Sequence, residues 1–338
     1  MTRRSRISVI SLAIAIPVVF ALGLMAGGVK LGMAEIFDAL CGNGSSTTQF
    51  IVVETRVPAL ATALLGSAAL AVAGLLMQTC FNNPLAGPSI MGISTGASLG
   101  VAVVLLALGG MMGFWGHIAL VAGAFLGAGA VLGVLLLFST VVRSADVLLI
   151  IGILIGYLSS SAISLLNFFA TDNSVHSFVI WGMGTFSGVG LDGLPLFSTL
   201  TLILIALCIP AAKSLNAMLL GARYAESAGV AARRTRSTLL AISGALTAVV
   251  TAWCGPIGFL GLVVPHVARI MCGTANHRVL IPATALAGAL LGLVCQIASV
   301  SPSLVTGTIL PVNAITPLIG VPIIIYVLLN RRRLVYFS

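Results

Sequence analysis

"NNPLAGPSIMGISTGASLG", residues 82–100, decides how the rest of the chain is read. It lies between two apolar runs, yet it holds two Pro, four Gly, two Asn, three Ser and one Thr. Pro84 and Pro88 lack an N–H, so no regular helix runs through them. Gly92, Gly96 and Gly100 recur every four residues, a small-xxx-small face that lets two backbones approach closely. Irregular backbone is tolerated at a bilayer edge, or where protein or water buries it. The stretch predicts a turn at the inner face of a membrane, followed by a helix seated tightly on a neighbour.

The membrane itself follows from composition. The chain has 338 residues, 59% of them hydrophobic and only 7% charged, where a soluble domain is about a quarter charged. A soluble fold would lack the polar surface to meet water. Apolar runs of about 20 residues, enough to cross a ~30 Å hydrocarbon core, recur from end to end. They fall near 7–28, 58–80, 93–109, 117–141, 147–169, 193–212, 237–253, 256–268, 279–298 and 311–330. The first exceeds the ~7–15-residue core of a secretory signal and reads as a retained span. The region 237–268 is divided only by "CGPIG" and could be one span or two.

Charge placement favours two. With ten spans and both termini inside, the inner segments hold Arg3, Arg4, Arg6, Arg143, Lys213, Arg223, Arg233, Arg234, Arg236, Arg269, Arg278 and Arg331 to Arg333. That is 14 of the 16 basic residues, leaving only Lys30 and Arg56 outside. Nine spans would break this bias. The net charge of +9 is therefore an orientation signal and does not point to nucleic acid. Cys41, Cys80, Cys208, Cys254, Cys272 and Cys295 show no CxxC spacing and read as free thiols. Residues 29–57 form an outer segment with a short surface helix at "MAEIFDALC". Residues 213–236 form an inner loop within one transmembrane domain spanning 1–338.

The polar residues exclude several functions. The chain has four His and no HExxH, and no Asp or Glu sits mid-span, so no catalytic or metal-ligating set is visible. His266 and Arg269 of "PHVAR" read as structural. Lys213–Ser214 follows Ala212 with no Gly-rich loop, so the chain has no phosphate cradle of its own. An ion-coupled carrier acting alone remains the alternative, with sodium held by backbone carbonyls. Two polar stripes, Ser160/Ser164/Asn167 and Asn313/Thr316/Gly320, each fall on one helix face. They suit either a wetted pathway or close helix packing.

Thr55 to Gly100, "TRVPALATALLGSAALAVAGLLMQTCFNNPLAGPSIMGISTGASLG", resembles the signature of the FecCD-type permeases for iron chelates and cobalamin. The likeness continues through "WGMGTFSGV" (181–189), "CGPIGFLGLVVPHVARIMCG" (254–273), "NHRVLIPATALAGALL" (276–291) and "LPVNAITPLIGVPIIIYVLL" (310–329). It implies an all-α, ten-span fold in which spans two to five and seven to ten are inverted repeats. It also implies a bacterial inner-membrane importer for iron–siderophore, haem or cobalamin. The expected assembly has two permease copies, two ATPases inside that hold the ATP and Mg, and a substrate-binding protein outside.

By the same resemblance, spans five and ten line the pathway, which favours a lining role for Ser160, Ser164, Asn167, Asn313 and Thr316. Ser144 and Ala145 mark an inner gate. "LLGARYAESAGV" (219–230) becomes the helix that docks the ATPase, through Arg223, Glu226, Ala228 and Gly229. Arg56 becomes the contact for the binding protein. The chain departs from the family pattern where Ala59 replaces a second Arg and where "CQIASVSPS" lacks an acidic residue and an Arg.

Overall fold

The computed structural model describes residues 2–109, 113–142 and 144–329. Arg143, Arg331 to Arg333 and the last residue of the tenth span lie outside the described residues. Every regular element among the described residues is helical: α1 (Arg3–Met25), α2 (Met33–Leu40), α3 (Ser46–Gln49), α4 (Val57–Cys80), α5 (Ile93–Ala102), α6 (Gly113–Val141), α7 (Ala145–Phe169), α8 (Asp172–Gly182), α9 (Leu194–Cys208), α10 (Ala212–Met218), α11 (Ala222–Ser227), α12 (Ala232–Cys254), α13 (Leu260–Cys272), α14 (His277–Val300), α15 (Ser303–Thr306) and α16 (Val312–Leu329). Wider π-type turns join α3 to α4 over Phe50–Arg56 and extend α5 over Val103–Ala107.

Among the described residues, six helical segments are long and apolar enough to cross a membrane, and three apolar helices, Ile93–Ala107, Leu260–Cys272 and Val312–Tyr326, are shorter. The second span is longer than its sequence pattern suggests, because the helix is continuous over Ser46–Cys80. The sixth is not straight. Pro210 removes a backbone donor just past Cys208, and α9 and α10 meet at a 54° bend. The region 237–268 is two helices, α12 and α13, parted at Gly255–Phe259. The short helix α2 forms at the predicted segment, while α8, capped by the Thr171 hydroxyl, was not anticipated. All six cysteines are free thiols, five of them buried.

Helix α4 is the centre of the bundle. The best-spanning window of its helix is 83% buried, against 17% for α7 and 22% for α6. Lipid supplies no hydrophobic drive between helices, so close backbone contact and dispersion must hold them. The sequence of α4 supplies the room with Gly66, Ser67, Ala68, Ala69, Ala71, Ala73 and Gly74. A methyl at Gly74 would collide with the backbone of Gly261 in α13. Methyls at Gly288 and Gly292 of α14 would strike Ala71, Ser67 and Ala63 of α4. From α12, the Ser243 hydroxyl donates to the Ala73 carbonyl at 3.0 Å.

The opening stretch packs as its glycines predict. Methyls at Gly96 and Gly100 would meet the backbone of Gly127 and Gly123, so α5 lies flat on α6. Gly92, at φ +77, approaches the Gly152 and Gly156 backbone of α7. The faces of α6 and α7 turned away from the bundle carry exposed Leu126, Leu137, Leu158 and Phe168, as lipid or a second chain requires.

Gly74→Val is expected to destabilise the protein by about 1–3 kcal/mol or more, since backbone cannot move aside as a side chain can. Gly129→Ala, in open space on α6, should be neutral. Thermal unfolding in detergent compares them; equal midpoints would contradict the close approach.

Candidate functional site

The site is built where two helices fail to continue. After Cys80, Asn82 adopts φ 45 and the Asn83 side chain accepts the Leu85 N–H at 2.9 Å, which reverses the chain. Residues 86–88 are then buried. Pro88 Cδ lies 3.0 Å from where a Gly261 methyl would stand, and the same methyl would lie 2.8 Å from the Leu70 carbonyl. Leu70 is ten residues short of the end of α4, about 15 Å along the helix. The stretch 82–92 is therefore a re-entrant segment that climbs back into the bundle, which corrects the expectation of a turn at the bilayer edge. Helix α5 begins at depth and is short for that reason.

The second break is Gly255–Phe259, with Gly255 at φ +75 and Phe259 at φ +66. The two breaks meet across one cavity of about 390 Å³. Ser89, Ser94, Thr95 and Ser98 line one wall, Pro256 to Phe259 line another, and Asn313 and Pro317 of α16 close it. Two of these four hydroxyls have partners within the chain: Ser98 donates to the Ser94 carbonyl at 3.0 Å and Thr95 to the Gly92 carbonyl at 2.9 Å. The wall offers hydroxyl groups, methyl groups and proline faces, with no charged side chain among its lining residues.

Asn313 holds the second break open. Its Oδ1 accepts the Gly258 N–H at 3.1 Å. Its Nδ2 donates to the carbonyls of Pro256 and Gly182, the latter at 3.2 Å. Backbone bonds from Thr185 to Cys254 (2.8 Å), Val312 to Gly184 (3.2 Å) and Asn313 to Met183 (3.2 Å) knit the "WGMG" segment to the same point. The first break is held from below. His266 contacts the Pro84 carbonyl at 2.9 Å. The Gln78 side chain donates to the Leu262 carbonyl at 3.1 Å and accepts from Arg269 at 2.6 Å. His266 and Arg269 are structural, as the sequence suggested.

A second buried chain of bonds reaches the inner loop. The Thr79 hydroxyl meets His277 Nε2 at 2.8 Å, and His277 Nδ1 meets Asn216 Oδ1 at 2.9 Å. Asn216 also accepts the His277 N–H at 2.8 Å and donates to Asn276 at 3.0 Å. Asn216 sits on α10, immediately before α11, so the loop is tied through His277 to the end of α4.

The other sequence-derived residues scatter. Ser160 and Ser164 lie on the exposed face of α7, with Ser164 donating to the Ser160 carbonyl at 3.0 Å. Asn167 is half-buried, and its Oδ1 has no hydrogen-bond partner among the described residues. Of the two stripes, only Asn313 reaches the cavity. Thr316 is a correction: it is 2% exposed, and Gly320, further along its stripe, packs against Val263 and Phe259. The Thr316 and Gly320 face of α16 packs inward, while Asn313 and Pro317 face the cavity.

At the other predicted positions, Ser144 caps α7 through Val147, and Ala145 packs partly buried beside it. Arg223, Glu226, Ala228 and Gly229 are all exposed on and just after α11, with Gly229 at φ +81.

Arg56 takes its partners from within the chain. It is 9% exposed and turned inward. Its two terminal nitrogens donate to the carbonyls of Leu24 and Val29, the latter at 2.6 Å. These lie at the C-terminal end of α1 and just beyond it, where carbonyls lack helical partners. Arg56 thus caps the end of α1.

Sequence reasoning passed over Ser94, Thr95, Ser98 and Pro256 to Phe259. The signal was present: Ser94 and Ser98 are four apart with Thr95 beside them, and Gly-Pro occurs at both breaks, 87–88 and 255–256.

The model of the FecCD transport family matches residues 14–330. The chain belongs to that family. It is 34% identical over 290 residues to the vitamin B12 import system permease protein BtuC of Salmonella typhimurium and of Salmonella arizonae, 86% of each chain being covered. A solved structure of a metal-chelate type ABC transporter in an inward-facing conformation superposes with a TM-score of 0.85 at 28% identity, over 95% of this chain and 98% of that one. This FecCD permease is thus the multi-pass inner-membrane subunit of an ATP-binding-cassette importer. It works as a dimer, and separate subunits hydrolyse the ATP. An ion-coupled carrier working alone is set aside.

Arg56→Ala should remove two charge-assisted bonds and cost the permease about 1–3 kcal/mol of stability, read as a lower unfolding midpoint. Association with an external binding protein should be unchanged. A stable variant with slowed association would restore Arg56 to docking. Asn313→Ala should lower the midpoint and slow uptake together, because three backbone groups lose their partner; normal uptake would show the clamp to be dispensable.

Proposed function

We propose that this permease imports a metal sheathed in an organic chelator: an iron–siderophore complex, haem or cobalamin. The observation that carries the reading is the chemistry of the 390 Å³ cavity. Bare cations are held by carboxylates or by rings of carbonyls aimed at the ion. Hydroxyl oxygens, prolines and Phe259 instead suit a large neutral or weakly polar surface whose metal is already coordinated. A wall without charges also favours release, which suits a passage better than a store.

In this reading the two cavities of a dimer face a shared pathway between the exposed α7 faces, with Ser160 and Ser164 along it. The short helices α5, α13 and α16 and the bent pair α9–α10 complete ten crossings, with both ends of the chain inside. Spans two to five and seven to ten form the inverted repeat, and the two Gly-Pro breaks are its matching points. The chain is one transmembrane unit, 1–338, with residues 213–236 as its coupling loop and no cofactor of its own. A substrate-binding protein delivers cargo outside, and Ser144 and Ala145 narrow the path inside.

The exposed α11 seats in the ATPase, with Arg223 and Glu226 at the rim and Ala228 and Gly229 at the closest approach. Asn216 and His277 then pass movement of that loop to α4. Ala228→Trp, at an ordinary backbone angle, should abolish transport-linked ATPase activity in a folded permease. Gly229 is a poor test position, because its left-handed φ strains any side chain. Asn216→Ala should leave the ATPase bound but raise the ATP hydrolysed per cargo imported; an unchanged ratio would confine Asn216 to packing.

The cargo reading is tested in proteoliposomes holding permease, ATPase and binding protein. ATP-dependent uptake of cobalamin, haem or a ferric siderophore, with none of free iron or cobalt, is the expected result. Uptake of the free ion at the same rate would overturn it.

A further inference from the structure

A cavity of about 500 Å³ lies between the bent pair α9–α10 and α14, apart from the two breaks. Its walls are Ile205, Ile209, Ile281, Pro282, Ala285 and Leu286, and its end is marked by Ala212, His277 and Arg278. The groove exists because of the 54° bend past Cys208, which swings α10 off the axis of α9 and leaves α14 uncovered. Ile209 and Pro282 are exposed. Apolar walls therefore run to one end that carries a cation.

That cation is unanswered among the described residues. Arg278 is exposed, and its guanidinium has no hydrogen-bond or ion-pair partner among the described residues. Among the described residues, no carboxylate lines the groove. Lys213, next to the lining residue Ala212, is exposed as well. An apolar slot that faces the bilayer and ends in one or two free cations at the cytoplasmic boundary matches a ligand with an acyl chain and an anionic head. A protein partner would need to reach below the headgroup level to fill the apolar part.

We propose that this groove binds one anionic phospholipid per permease, an acyl chain lying along α14 and the phosphate at Arg278. The proposal rests on the inner placement of Arg278 in the reading above. The site shares His277 with the bonds that tie the inner loop to α4, so an occupied groove would brace the α10 end of that linkage.

The test uses the permease–ATPase complex purified in an equal mixture of phosphatidylglycerol and phosphatidylcholine, with retained lipid counted by native mass spectrometry. A preference for phosphatidylglycerol of about five-fold per basic side chain is expected. Arg278→Gln, on the surface, should bring the two lipids to equal retention. Ala285→Trp should remove the tightly held lipid by filling the slot. No preference in the wild type, or an equal preference in both variants, would overturn the proposal. So would an Arg278→Gln variant that keeps its lipid but sheds the ATPase, which would make this surface a protein contact. The lipid count needs no cargo, so its failure is distinct from a failure of the uptake reading.

Discussion

Backbone N–H and C=O groups cannot be left unpaired at membrane depth, where each costs several kcal/mol. This FecCD permease nevertheless breaks two helices inside its bundle, and the surrounding structure exists largely to answer those breaks. Asn313 answers three backbone groups around Gly258 and Gly182. His266 answers Pro84, and Gln78 answers Leu262 while being held by Arg269. Each clamp comes from a different helix than the break it serves. The cavity is thus defined by long-range contacts and could not form from either half of the chain alone.

This explains what could be read in advance. The membrane class, the long apolar helices and the glycine face at 92–100 follow from local composition and period, and these stand. The glycines could be read because close approach has a local signature, small residues every four positions, whatever the partner is. The depth of the 82–92 segment could not be read. Two prolines and two asparagines announce a break equally well at a bilayer edge or in a protein interior, and only the packing of Pro88 against Gly261 decides. The kink at Pro210 and the buried His277–Asn216 bond were hidden for the same reason. Such bonds join residues 61 apart in sequence.

Charge was the least reliable guide to individual roles. One of only two basic residues that the ten-span reading puts outside looked like a docking point, yet Arg56 folds inward because the end of α1 presents carbonyls without partners. The stripe at Asn313, Thr316 and Gly320 split similarly: its first member lines the cavity, and the other two pack. A polar residue on a helix face in lipid answers whichever unpaired group lies nearest, and spacing does not say whether that is backbone, a neighbouring helix or cargo.

The central claim is that cargo passes the point where the two breaks meet. Cysteine accessibility at Ser94 measures this most directly. With the exposed Cys41 replaced by Ser and the five buried thiols left in place, Ser94→Cys is challenged with a membrane-impermeant thiol reagent from each side of a proteoliposome. The complex is held nucleotide-free or with an ATP analogue. Labelling from opposite sides in the two states is the predicted result. Labelling from neither side in both states, as for Leu126→Cys on the lipid face, would contradict it.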